Sequence, residues 1–523
     1  MVKKNLNFPF YIFCFASYPV ISLFAWNASE IDVSVIWRPL ILTNLAALMI
    51  FLIFSIFIRN SQKSGILTSI LIVSFFSFGL LFGFLRSIPV IGDSLGRFRY
   101  LVPFYLLIFI FAFYLIYFKL KDTTKVTSIL NFVGIILIVL PVFQASTYLV
   151  RINQKPSEEL IVSDGGLKPT KDSPLPDIYV IVLDAYMRQD RLLEDYGYDN
   201  SEFIQKLRKV GFYVADCSRS NYGYTNRSIP STLNLDYIEE LEKNPVTPGI
   251  SVTEDLIFKL EHNKARMLLS KLGYKFVAFD SGAKWSSFST ADYYYGVPLN
   301  LAQKSISEFE ALVLQNSAAI IAVGGQPTKF NEFIQGKDSD EINYWPGHIE
   351  RVRNILKILP KIPNLSEPKF VFAHIVSPHT PYVFAPNGSL LNDSRYFMYE
   401  GLGINKEFSH EGYGMQVEFI DNQILPVIEE IIQKSKTPPI ILLEGDHGYY
   451  DTDRFANLMA FYGPPEMLNE LYPTISPVNS FRTIFRTVFN ADYPPLPDVS
   501  YFETCEKGKC AYQIADNPFP ECK

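Results

Sequence analysis

The sequence predicts a five-helix transmembrane domain followed by an α/β domain with a mainly parallel central sheet. Two observations predict it. The first is charge. Of 523 residues, the first 150 hold 11 Lys and Arg against 4 Asp and Glu, and the remainder hold 36 against 49. The second is pattern. Beyond residue 176, short β-branched apolar runs alternate with amphipathic helical stretches, as expected where helices join parallel strands. A balance of +7 before residue 151 and −13 after it excludes a single soluble globule. It also excludes an ordinary nucleic-acid binder, since phosphate neutralisation needs the opposite sign on the large C-terminal part.

The windows Asn5–Ser29, Pro39–Ile58, Ser64–Leu85, Tyr100–Phe118 and Val126–Val150 carry no charge and are 25, 20, 22, 19 and 25 residues long. About 20 apolar residues cross a bilayer, so each reads as a span. Lys3 and Lys4, then Arg59 and Lys63, then Lys119, Lys121 and Lys125 fall on one side, which the positive-inside rule makes cytoplasmic. The loop with Arg86, Arg97 and Arg99 runs against that rule and reads as lipid-headgroup contact. An odd number of spans leaves the rest of the chain outside the cytoplasm. The expected organisation is a transmembrane domain over 1–150, a Pro- and Gly-rich linker over 151–176 and an extracytoplasmic domain over 177–523. The protein is expected in the plasma (inner) membrane, multi-pass, with the bilayer as a partner. Cys14 falls inside the first span; Cys217, Cys505, Cys510 and Cys522 lie outside the spans, where an oxidising compartment favours two disulfides with three connectivities open.

In the C-terminal part, strands are expected at Ile178–Leu183, Tyr213–Ala215, Phe276–Phe279, Phe370–Ala373 and Ile440–Leu443, with helices over Phe203–Val210 and Val417–Ile432 between them. Sites in open α/β sheets gather at the carboxyl ends of strands. There stand Asp184, then His374 and His379, then Asp446 and His447 within Gly445-Asp446-His447-Gly448. Carboxylate and imidazole ligands together suit Zn²⁺ or Mn²⁺. A second loop, Ser220-Asn221-Tyr222-Gly223-Tyr224-Thr225-Asn226-Arg227, feeds a helix start. Helix N-termini favour anions, and a metal-bound Thr hydroxyl there ionises more readily than a free alcohol. His262, His348 and His410 read as surface or packing residues, and Asp280 as a turn.

These residues resemble the alkaline phosphatase/sulfatase superfamily. The likeness is greatest to its membrane-embedded, sulfatase-like envelope enzymes, the lipid A phosphoethanolamine transferases and lipoteichoic acid synthases. Thr225-Asn226-Arg227-Ser228-Ile229-Pro230 is similar to the Thr-x-x-Ser-x-Pro around the transferases' nucleophile, and His374 through His379 to Pro381 to their His-x4-His-x-Pro segment. Gly445 to Gly448 resembles the superfamily's C-terminal metal ligands; Asp184 stands where the transferases usually have Glu. The resemblance implies a sulfatase-like domain. It also implies one divalent metal held by Asp184, Thr225, Asp446 and His447, with Thr225 as nucleophile. His374 and His379 would act on the transferred group or the leaving oxygen, and Arg227 would contact the anion. The substrate would be a phosphoester of an envelope lipid or glycan, hydrolysed or transferred. Three departures matter. The formylglycine motif of sulfatases is absent, which argues against the alternative of a sulfatase. No His has Asp four residues before it, and no His follows His447; both argue against a second metal and leave open a binding protein that has lost turnover.

Overall fold

The computed structural model describes residues 8–28, 31–88, 95–152, 166–168, 174–243, 245–246, 252–297, 306–325, 345–391, 396, 406–449, 453–506 and 509–516. The chain forms two compact units, one of residues 1–150 with 299–346 and the other of 151–298 with 347–523. Most of the expected 151–176 linker lies outside the described residues.

The first unit holds helices α1 (Tyr11–Trp26), α2 (Trp37–Ile58), α3 (Ser61–Ser87), α4 (Phe98–Tyr114) and α5 (Thr123–Ile152). Four stretches, Val33–Ile58, Ser61–Ser87, Phe98–Lys119 and Thr123–Arg151, are long and apolar enough to cross a membrane. The fifth expected span is shorter: α1 has 16 residues, about 24 Å against a hydrocarbon core of about 30 Å. Tyr11, Ile12, Phe51, Ile66, Leu67 and Ile116 form one buried cluster of this unit. Asn131 in α5 ties down the start of α1, accepting from Tyr11 N at 3.1 Å and donating to Phe8 O at 3.0 Å.

The second unit is built on a seven-stranded sheet of order β2-β7-β6-β1-β5-β3-β4. Its strands are β1 (Ile178–Leu183), β2 (Tyr213–Val214), β3 (Lys275–Phe279), β4 (Tyr293–Tyr295), β5 (Lys369–Ile375), β6 (Ile440–Glu444) and β7 (Met459–Tyr462). β1 is buried along its whole length, as a strand covered on both faces must be, and its run IYVIVL carries no polar alternation for that reason. β1 pairs in parallel with β5 and β6, and β3 in parallel with β5 and β4. β7 runs antiparallel to β6 and β2, so the sheet is mixed, mostly parallel with one antiparallel edge. A separate hairpin joins β8 (Tyr501–Glu506) to β9 (Lys509–Ile514). Cys217 and Cys510 each take part in a disulfide, and Cys14 is free. Cys505 faces Cys510 in the hairpin register, and Cys522 lies outside the described residues.

Candidate active site

Parallel pairing brings the carboxyl ends of β1, β5 and β6 side by side. Val182 stands opposite both His374 and Glu444, so Asp184, His374 and Asp446 converge. One ligand atom from each of these three buried residues lies within 4.8 Å of the others. The close approach depends on Gly445, where a Cβ would collide with the carbonyl oxygen of Tyr186. With that contact open, Asp446 Oδ1 accepts from Ala185 N at 3.0 Å and from His447 N at 3.1 Å. The loop is held from outside by Ser220 Oγ on Asp446 O at 2.6 Å and Asn457 Nδ2 on Gly445 O at 2.6 Å.

Three atoms of the cluster, Asp184 Oδ1, Asp446 Oδ2 and His374 Nε2, are buried without a hydrogen-bond partner. A buried polar atom left so costs about 1–3 kcal/mol, more when charged, so three aimed at one point fit a cation site. The donor set, two carboxylates and an imidazole, suits a divalent metal. His447 adds a fourth donor, the second nitrogen, its Nε2 3.8 Å from Asp184 Oδ1 and 3.6 Å from Asp446 Oδ2. Its Nδ1 lies 2.7 Å from Gly448 O. A carbonyl only accepts, so the proton sits on Nδ1 and the Nε2 lone pair faces the carboxylates.

Electrostatics agree. Burial alone would push the Asp184 carboxyl up, but His379, then His374 and His447, outweigh it and hold the group well below the usual carboxylate range. Burial lowers His374, yet the Asp184 carboxylate beside it, 3.3 Å from Nε2, and the charge of Asp446 raise it overall.

Thr225 is the first residue of the Thr225–Asn234 helix, and its half-buried Oγ1 lies 3.3 Å from His447 Nε2. Ser228, one turn on, places its Oγ 3.2 Å from Ser220 Oγ and couples this helix to the Asp446 loop. His379 donates its backbone N–H to Asp184 O at 3.1 Å, and its Nδ1 lies 2.8 Å from Thr380 O.

Two expected roles change. His374 belongs with the two carboxylates, its Nε2 3.3 Å from Asp184 Oδ2, because β5 pairs directly with β1. Arg227 does not serve the anion. Its guanidinium is buried, paired through Nε with Glu503 at 2.7 Å and directed by Nη2 to Cys510 Sγ at 3.7 Å, so the hairpin consumes its charge. Of the histidines read as surface or packing residues, two pack inside the unit. His410 meets the Tyr196 ring at a tilt, centroids 4.6 Å apart, with its Nε2 buried. His348 is 4% exposed with its Nε2 unpartnered, and it interacts electrostatically with His379 and Asp184. Asp280 does make a turn, accepting from Gly282 N at 2.9 Å.

The sequence reading missed Ser286. Its Oγ lies 2.6 Å from His374 Nδ1 and 2.8 Å from Ser281 Oγ, so a serine pair after β3 orients the imidazole. The available signal was a Ser-rich segment, Ser281 to Ser287, at a strand end.

No family model and no curated protein matches the chain. Among solved structures it is similar to several chains at low identity. One is the C-terminal periplasmic domain of EcEptC from Escherichia coli in complex with Zn, at 11% identity over 62% of this chain and 85% of that chain, TM-score 0.40. Another is the integral membrane lipooligosaccharide phosphoethanolamine transferase A (EptA) from Neisseria meningitidis, at 11% identity over 93% and 96%, TM-score 0.39. A third is the lipoteichoic acid synthase LtaP from Listeria monocytogenes, at 11% over 63% and 77%, TM-score 0.37.

Proposed function

We propose that the protein is a membrane-anchored, metal-dependent hydrolase or transferase acting on phosphoesters of the cell envelope, with its catalytic unit on the extracytoplasmic side. The observation that supports this most is the set of buried, unsatisfied ligand atoms of Asp184, His374 and Asp446 beside a Thr hydroxyl at a helix N-terminus. Asp184, His374, Asp446 and His447 would hold one Zn²⁺ or Mn²⁺. Bound there, the ion would supply Lewis-acid chemistry and lower the pKa of the neighbouring hydroxyl.

The chain's own residues do the rest. Thr225 Oγ1, its proton passed to solvent water, attacks phosphorus, the ester oxygen departs with its electron pair, and phospho-Thr225 results. The helix N-terminus stabilises charge on the phosphoryl oxygens. His379 protonates the leaving oxygen. Water, or a hydroxyl of an envelope lipid or glycan, then takes the phosphoryl group and restores the Thr225 hydroxyl. The apolar helices of the first unit tether the enzyme to a layer where such substrates are concentrated.

The test is turnover of a panel of phosphate and sulfate esters by the full chain, with Thr225→Ala beside the parent. Phosphoester turnover that falls on the order of 10³-fold in Thr225→Ala, together with acid-stable phosphate on Thr225 in the parent, is the expected result. Undiminished turnover in Thr225→Ala, or preference for sulfate esters, refutes it.

A further inference from the structure

Residues 306–325 belong to the same compact unit as the apolar helices, although the chain reaches them after β4 and leaves them for β5. We propose that this stretch is a re-entrant membrane segment: it enters the bilayer beside α3 and α4, turns, and leaves by the same face, with lipid acyl chains against Leu312 and Ile321.

The composition comes first. From Ala311 to Thr328 there are 18 residues without a charge, ALVLQNSAAIIAVGGQPT. That is nearly span length, but the stretch is not one helix. A helix over Glu308–Gln315 breaks at Asn316 and Ser317, a 3-10 turn covers Ala318–Ile321, and Gly324 and Gly325 reverse the chain at positive φ.

Packing comes next. Ile306, Ile320 and Val323 share a buried cluster with Phe78 and Phe82 of α3 and Leu101 of α4. At Gly79 a Cβ would collide with the carbonyl oxygen of Gln315 and lie 2.6 Å from Ser317 N, so the break in the segment rests directly on the α3 backbone. Gly79 is eight residues before the end of α3, a depth of about 12 Å at 1.5 Å per residue. Gly325 packs on Phe82 and Phe98, while Glu310 reaches Arg38 at the start of α2 at 3.2 Å. Both ends of the segment therefore meet the same end of the helix bundle.

Ser317 and several backbone groups at the break are closed internally, as a hydrocarbon environment demands of irregular backbone, while the Gln315 side chain is exposed. Ser317 Oγ donates to Leu314 O at 2.8 Å and accepts from Ala319 N at 3.2 Å. Backbone bonds join Ser317 N to Leu314 O, Ala322 N to Ala319 O, and Gly325 N to Ile320 O. Glu310 is 6% exposed, occupied by Arg38 and by the Ser307–Glu310 capping box. Leu312 and Ile321 face outward, with Gln315 and Ala322 exposed beside them, and this surface adjoins a helix whose own outward face carries Leu80 and Phe84. That continuity assigns the surface to lipid.

The full chain in vesicles tests this, with a thiol-reactive fluorophore at Leu312→Cys or Ile321→Cys in a Cys14→Ser background. Leu80→Cys on α3 and Glu202→Cys on the second unit serve as references. Both segment probes are expected to lose the iodide quenching seen at Glu202→Cys and to match Leu80→Cys in quenching by nitroxide-labelled acyl chains. Iodide quenching equal to that at Glu202→Cys overturns the proposal. So does shielding from both quenchers, which means protein covers the segment. If Leu80→Cys itself is iodide-accessible, membrane anchoring fails with it.

Discussion

The two ends of the β1–β5 strand pair handle buried charge in opposite ways. At the amino end, Asp177 and Lys369 close on each other: Nζ to Oδ2 is 2.9 Å, Asp177 Oδ1 accepts from Lys369 N at 3.2 Å, and Nζ also donates to Leu365 O at 2.9 Å. At the carboxyl end of the same strands, Asp184, His374 and Asp446 leave ligand atoms without partners. Position on the sheet, register and burial are shared, so the difference lies in what each end is for. The closed pair completes the fold by itself. The open cluster keeps the donor set of a cation site.

That contrast breaks if the two ends respond alike to mutation. Asp446→Ala is expected to release bound metal and to cut turnover on the order of 10³-fold, while the domain stays folded. Lys369→Met strands a buried carboxylate and is expected to cost about 3–5 kcal/mol of stability, with metal per folded molecule unchanged. The sharper version uses chelated protein. There the isosteric Asp446→Asn relieves uncompensated charge and should raise the unfolding temperature, whereas Lys369→Met should lower it. Elemental analysis and thermal unfolding read both arms; a shift of the same sign in the two variants would remove the distinction.

Much of the central sheet was legible in the sequence because parallel strands buried on both faces must be continuous apolar runs. β1, β3, β5 and β6 all announce themselves this way. β7, with the four residues MAFY, and β4, with three tyrosines at the sheet edge, are too short for periodicity to register. Their pairing is made with β3 for β4, and with β6 and β2 for β7, and so few residues carry no sign of it. Asp184 and His374 were visible because each follows an apolar run directly, and Asp446 because it stands three residues beyond one, in Gly445-Asp446-His447-Gly448. Ser286 was not, since a hydroxyl 88 residues from its histidine leaves no local pattern. Arg227 shows the converse. Its place beside Thr225 suggests an anion contact, but which way a side chain leaves a helix depends on what packs there, and here that is Glu503 of the β8–β9 hairpin. The 306–325 segment escaped notice because Asn316, Ser317 and the glycine pair interrupt the helical period that marks a span.

A smaller effect probes how the open end is kept open. Ser286 holds His374 through Nδ1 and so presents Nε2 to the two carboxylates. Partners of this kind typically change metal affinity 10–100-fold. Ser286→Ala is accordingly expected to weaken metal binding by about that factor, measured by competition with a chelator, and excess metal should restore turnover. Loss of turnover that saturating metal fails to restore would place Ser286 in the chemistry and not in the support of a ligand.

The smallest effect concerns the proton. Burial, with Arg351 and His379 adding to it, depresses His348 from 6.5 to about 3. The folded protein therefore refuses a proton that the unfolded chain accepts between those values, and stability falls as pH drops through that window. Asp177 contributes the opposite slope at the other end of the strands. Burial outweighs Lys369 and raises its carboxyl above the ordinary 3.8, so the folded state holds that proton more tightly and gains stability as pH falls through the raised value. Replacing His348 with Gln should flatten the loss of stability between about pH 6.5 and 3, by at most about 1.4 kcal/mol per pH unit, the worth of one proton. Thermal unfolding of chelated His348→Gln and parent across that range reads the difference. Parallel profiles would mean that His348 is already protonated in the folded protein, and that the open end carries a cation of its own before any metal arrives.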